Sequence, residues 1–222
     1  ADAAAWRRCV ELAVDAARRC GPGRVAGALA TVPPGFDARH WPAPAVERAA
    51  FRELVDALLL AGVDALVLEM IQDADHGGRA LDAAAAGARA AGVPLWLGVS
   101  ARRSHRRLGC FDFPDRDFGA VLAALLARRR PDAVLLMHTP LDAIPAALAR
   151  IRSLWRGPLA LRPELPYPED GTTGTRTDRG RLVAASGAWP VADLAAVGGC
   201  CGTRPAQIEA LGAALARHRE GV

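Results

Sequence analysis

Aromatic residues make up only 5% of the 222 residues, and nowhere do they interleave with basic ones. That absence, beside a formal net charge of only +4, argues against a nucleic-acid partner. Long apolar runs are missing too. None reaches the length of a bilayer span, so no membrane partner is expected. Ala1 to Arg8 has no signal-peptide core. Cysteine is sparse and odd in number, five residues without the spacing of a disulfide framework. These absences point to a reducing, cytoplasmic setting. No period repeats along the chain. No Gly-x-Gly-x-x-Gly follows the first strand, which removes support for a dinucleotide fold.

What is present is apolar and alternating. Hydrophobic residues are 51% of the chain, much of it alanine, enough for one domain over residues 1–222 with a sizeable core. Asp2 to Arg19 reads as a helix, with Cys9 and Cys20 expected in its core side. Strands are expected at 24–29, 63–70, 95–100, 133–137, 157–162 and 191–197. Helices at 45–61, 74–91, 117–129, 141–154 and 205–217 alternate with them, and a weak one lies at 181–186. Such alternation requires crossover helices between parallel strands. It leaves two architectures open, a (β/α) barrel and an open doubly wound sheet. Loops are expected at 31–44, holding His40 and Trp41, and at 163–180, holding Glu164, Tyr167, Glu169 and Asp170. Residues 101–115 read as a solvated, arginine-rich loop, with Cys110 a fallback metal ligand.

Chemistry gathers where strands end. Val197-Gly198-Gly199-Cys200-Cys201-Gly202-Thr203 puts two adjacent thiols among three glycines, between a strand and a helix start. Adjacent strand side chains point to opposite faces, so both thiols can serve one centre only if the backbone bends, as glycine permits. Three readings stand: a zinc ion held by both thiolates, a packed thiol pair, and a vicinal disulfide. A zinc site needs a third protein ligand. His138 stands at the catalytic end of one strand and Glu69 at the end of another.

With these residues in place, the chain resembles the homocysteine S-methyltransferase family. The resemblance is carried by Gly198-Gly199-Cys200-Cys201-Gly202-Thr203-Arg204-Pro205, with Ile208 and Leu211 beyond it, by Leu68-Glu69-Met70-Ile71, and by His138-Thr139-Pro140. It implies a (β/α)8 TIM-barrel-like fold. The family's first two strands have no counterpart here, so an incomplete barrel of about six parallel strands is expected. Exposed strand edges would then be covered by neighbouring helices or by a second copy. The resemblance implies a Zn²⁺ cofactor that holds the homocysteine thiolate for attack on an activated methyl group, giving methionine, as in methionine biosynthesis. Cys200 and Cys201 match two of the family's three cysteine ligands, and His138 falls where the third would be. Glu69 matches the glutamate that contacts the homocysteine ammonium. Met137 and Thr139, beside His138, are carried over as substrate-binding residues. The expected partners are a small-molecule thiol and a methyl donor; Trp41 and Trp96 are candidates to face a cationic donor. Two cysteinates and a neutral histidine leave the zinc site at net charge 0, against −1 for three cysteinates. A rival reading is therefore a metal- or thiol-binding, regulatory relative without turnover. A third is a zinc-assisted hydrolase, with Glu69 as its base.

Overall fold

The computed structural model describes residues 3–21, 23–31, 42–104, 107–165, 176–190 and 193–220. His40, Trp41, His105, Tyr167, Glu169 and Asp170 lie outside the described residues. The chain forms two compact units: Ala1–Gly98 with Ala124–Asp132, and Val99–Ala123 with Ala133–Val222.

The first unit alternates helix and strand: α1 (Ala3–Arg19), β1 (Ala26–Ala30), α2 (Pro44–Leu60), β2 (Ala65–Glu69), α3 (His76–Ala91) and β3 (Leu95–Val99, through Gly98). β1 pairs parallel with β2, and β2 with β3. Two neighbouring strand starts are tied by the same kind of joint. Asp64 N–H donates to Val25 O at 2.7 Å, while the Asp64 carboxylate accepts from Val25 N–H at 2.8 Å. Asp132 does the same with Leu95, at 2.8 and 2.7 Å. Leu29, Leu66, Leu68, Leu81 and Leu97 are fully buried along these elements. Cys9 and Cys20 are exposed, contrary to the core placement expected of them. The apolar side of α1 is narrow: Val14 is buried but Leu12 is 46% exposed.

The second unit opens with an antiparallel hairpin, β4 (Ala101–Ser104) and β5 (Arg107–Cys110), where a solvated loop was expected. The arginines masked it. Arg102, Arg103 and Arg107 face solvent while Ala101, Gly109 and Cys110 turn inward, and so short an alternation is weak in sequence. β6 (Ala133–Pro140), α5 (Ile144–Leu154), β7 (Leu159–Glu164), α6 (Arg176–Ser186), β8 (Ala196–Val197) and α7 (Pro205–Glu220) follow; α4 (Phe118–Arg128) divides between the two units. α6 is longer than the 181–186 expected, and β8 is only two residues. β6 pairs parallel with β7, and β7 with β8. Among the described residues the parallel strands are ordered β1-β2-β3 in the first unit and β6-β7-β8 in the second, about six as expected. Among the described residues this alternation is that of an incomplete, TIM-barrel-like (β/α) fold.

Candidate metal centre

Backbone geometry builds the centre before any side chain does. β6 and β7 run in register through Met137 opposite Arg162, then resume with Thr139 opposite Pro163. His138 is the extra residue of a bulge, with φ at +44°. Pro163 has no N–H to give the ladder, so the break falls where it is least costly. Thr139 pins the bulge from inside: its hydroxyl donates to Met137 O at 2.8 Å and accepts from Ala101 N–H at 3.1 Å. A bulge re-aims one side chain. Here it re-aims His138 out of a strand whose other central residues are buried.

The Gly-Gly-Cys-Cys segment is fixed against the same strand, β7. Gly198 N–H donates to Leu161 O at 2.9 Å, Cys200 N–H to Pro163 O at 3.2 Å, and Leu165 N–H to Cys201 O at 3.0 Å. Arg162 Nε donates to Gly199 O at 3.1 Å. The Thr203 hydroxyl donates to Cys200 O at 2.5 Å. Gly202 turns the chain at φ +74°, and a Cβ there would lie 2.4 Å from Leu165 O. A Cβ on Gly199 would meet Thr203 Oγ1 at 2.3 Å. These glycines supply the bend that two adjacent thiols need to serve one centre.

The result is a single candidate metal group among the described residues: His138, Cys200 and Cys201, with ligand atoms all within 4.8 Å of one another. Cys200 Sγ is 3.9 Å from His138 Nδ1. Tetrahedral zinc, with bonds of about 2.0–2.3 Å, places its ligand atoms about 3.3–3.8 Å apart. The donor set therefore fits that ion with little rearrangement. Cys200 and Cys201 are both free thiols, not a vicinal disulfide. Cys110 is a buried residue of β5, in no disulfide and outside the group.

The protonation of the three residues is unequal. Burial raises the Cys200 thiol, but its contact with His138, the Cys201 backbone and the Arg162 charge outweigh that and bring it below its ordinary value. Burial and then the Cys200 charge push Cys201 up to about 11. His138 is raised, first by its contact with Cys200 and then, against burial, by Glu164. The two shifts have one cause in common, the contact between His138 and Cys200, which favours the charged form of each. A zinc ion held there would take the two cysteines as thiolates and His138 as a neutral imidazole.

Glu164 was expected in a polar loop; it is the last residue of β7, with Oε1 3.4 Å from His138 Nε2. The Phe111 ring meets the His138 ring edge-on, centroids 4.5 Å apart. Glu69 ends β2 in the first unit, half-buried and followed by Met70 at φ +57°. Met137 is 3% exposed and Thr139 wholly buried. Trp96 is half-buried in β3.

Residues 1–215 match the family Homocysteine S-methyltransferase. The chain belongs to that family. No match was found among curated protein sequences. Among solved structures, the homocysteine methyltransferase MmuM from Escherichia coli is similar. Its apo form matches at 24% identity and TM-score 0.67, covering 96% of this chain and 76% of that one. Its metallated form matches at 23% identity and TM-score 0.71, covering 96% and 72%. The oxidized form gives 24% identity and TM-score 0.70 over 96% and 72%. At these identities the structures establish the shared fold. In this member of the family the candidate metal-ligand triad is altered to one histidine and two cysteines.

Proposed function

We propose that this protein transfers a methyl group from an activated donor to the thiol of homocysteine, giving methionine, with Zn²⁺ held by His138, Cys200 and Cys201. The observation that carries the reading is the convergence of those three side chains in a chain of this family. When bound there, zinc supplies a Lewis acid that lowers the substrate thiol pKa and holds the thiolate. Cys200 is the ligand most ready to bind, since its thiol is already shifted toward the anion. The bulge pinned by Thr139 delivers His138, and the bonds from the glycine turn to β7 hold both cysteines. Glu69 pairs with the substrate ammonium, an attraction that strengthens in a partly dry site. Met137 and Thr139 complete the substrate side, flanking His138 on β6. In the displacement, the homocysteine sulfur forms a bond to the methyl carbon. The bond from that carbon to the donor heteroatom breaks, and its electron pair leaves with the donor. The thiol proton goes to solvent.

The test is to incubate zinc-loaded protein with homocysteine and, in turn, a sulfonium, a quaternary ammonium and a methyl-carrying cofactor, and to follow methionine by mass. Methionine from one donor, lost in Cys200→Ala and in Glu69→Ala, supports the reading. A second reading rests on His138 itself: a neutral ligand leaves the bound thiolate less electron-rich, which suits binding without turnover. Homocysteine binding with no methionine from any donor favours that reading. Consumption of water with no need of a thiol favours a hydrolase. A cytoplasmic setting and a second copy covering the strand edges belong to the same proposal, and a native mass tests the latter.

A further inference from the structure

A histidine ligand has a second ring nitrogen, which a cysteine in its place would not. In this chain that nitrogen has a partner. His138 Nδ1 faces Cys200 Sγ at 3.9 Å, and Nε2 faces Glu164 Oε1 at 3.4 Å. The imidazole is thus set between the thiol group on one side and a carboxylate on the other, with Phe111 against the ring. The supports are backbone-deep. His138 comes from the bulge of β6 and Glu164 from the end of β7, adjacent strands paired through Pro140 opposite Glu164. Neither side chain is free to swing in solvent, their exposures being 18% and 16%.

We propose that Glu164 is a positioning residue: by holding Nε2–H, it fixes His138 in the tautomer and orientation that offer Nδ1 to the metal. This rests on the zinc reading of His138, Cys200 and Cys201. Metal-bound histidines commonly give their other N–H to a carboxylate, which orients the ring and raises its basicity. The pair gives the second ring nitrogen of His138 a carboxylate at 3.4 Å, a partner that a cysteine at this position could not use in the same way. Asp112 and Arg102 also act on Glu164. Glu164 further lines a cavity of about 400 Å³ with Arg102, Phe111, Pro140, Leu141, Asp142 and Arg181. The rival role for its carboxylate is therefore contact with a substrate in that cavity, and the experiment has to separate the two.

The test is zinc affinity, by competition with a chromophoric chelator, in the full-length chain without substrate. Wild type, Glu164→Ala, Glu164→Gln, His138→Cys and the double variant His138→Cys/Glu164→Ala are compared, with folding followed by circular dichroism. Glu164→Ala is expected to weaken zinc about 10- to 100-fold. Glu164→Gln, which keeps an acceptor oxygen without the charge, falls between it and wild type. In the His138→Cys background, removing Glu164 changes affinity by no more than about twofold, because the coupled partner is gone. Nitrogen chemical shifts of the zinc-loaded protein give a readout that general destabilisation does not move. They are expected to report one His138 tautomer, protonated at Nε2, in wild type, and to lose that state in Glu164→Ala. Unchanged affinity and tautomer in both Glu164 variants overturn the proposal and leave the zinc reading standing. An equal loss in the two backgrounds assigns Glu164 a general structural role and likewise overturns it. Wild-type protein that binds no zinc overturns the metal reading and this proposal with it.

Discussion

Thr139 shows how much of the centre depends on groups outside the His138, Cys200 and Cys201 set. Its hydroxyl satisfies Ala101 N–H and Met137 O in a fully buried place. Thr139→Val keeps the shape and removes the hydroxyl. It leaves a buried N–H without that partner, and is expected to cost about 1–3 kcal/mol in a urea titration. Because the bulge loses its pin, zinc affinity is expected to fall in the same variant. The two thiols give a second check at this scale. Cys200 lies below its ordinary pKa and Cys201 is pushed up to about 11, so Cys200 gives up its proton first as pH rises. Alkylation of metal-free protein, mapped by mass, is expected to modify Cys200 before Cys201. Zinc is expected to protect both and leave the exposed Cys9 and Cys20 reactive. Modification of Cys201 first would contradict the assignment. His138, Cys200 and Cys201 were legible in the sequence, because strand ends and glycine turns mark themselves. Glu164 was not. Pro163 reads as the end of a strand, whereas here it sits opposite a bulge and lets β7 run one residue further.

Among the elements, the glycine turn after β8 is the most exacting. Gly202→Ala places a Cβ 2.4 Å from Leu165 O in a left-handed backbone. A strain of about 1–3 kcal/mol is expected from the backbone alone. The Cys201 carbonyl contact with Leu165 N–H is expected to be disturbed with it, weakening zinc binding. The aspartate joints at the strand starts had no signal strong enough to read, although Val63-Asp64-Ala65-Leu66 and Pro131-Asp132-Ala133-Val134 look alike once the bonds are known. Asp132→Ala removes the carboxylate partner of Leu95 N–H and is expected to cost about 1–3 kcal/mol. Asp64 allows a pH test. The Val25 N–H holds its carboxyl below the usual value, Arg18 assisting. A depressed folded pKa gives stability that is present above the unfolded value of about 3.9 and is lost as pH falls through the folded one. Denaturant midpoints are therefore expected to fall less steeply in Asp64→Asn than in wild type on the acid side. Six parallel strands and most helices followed from apolar runs between glycine and proline. The β4–β5 hairpin escaped because most of its outward positions are arginine and its inward ones are few and small.

For the molecule as a whole, family membership and fold stand on residues 1–215 and on likeness to the MmuM structures. The chain covers 72–76% of those chains. Among the described residues no helix is long and apolar enough to cross a membrane. A ligand that binds only the folded state stabilises it by mass action, about 2.7 kcal/mol at a hundredfold excess over its dissociation constant. Zinc is expected to raise the melting temperature of wild type, and to raise that of Cys200→Ala much less. The central claim is that His138, Cys200 and Cys201 together hold one zinc ion. Its most direct test is the zinc content, by elemental analysis, of protein purified reduced and without chelator. The account predicts close to one zinc per chain, falling toward zero in Cys200→Ala. A content near zero in wild type, unchanged when zinc is added under reducing conditions, would contradict it.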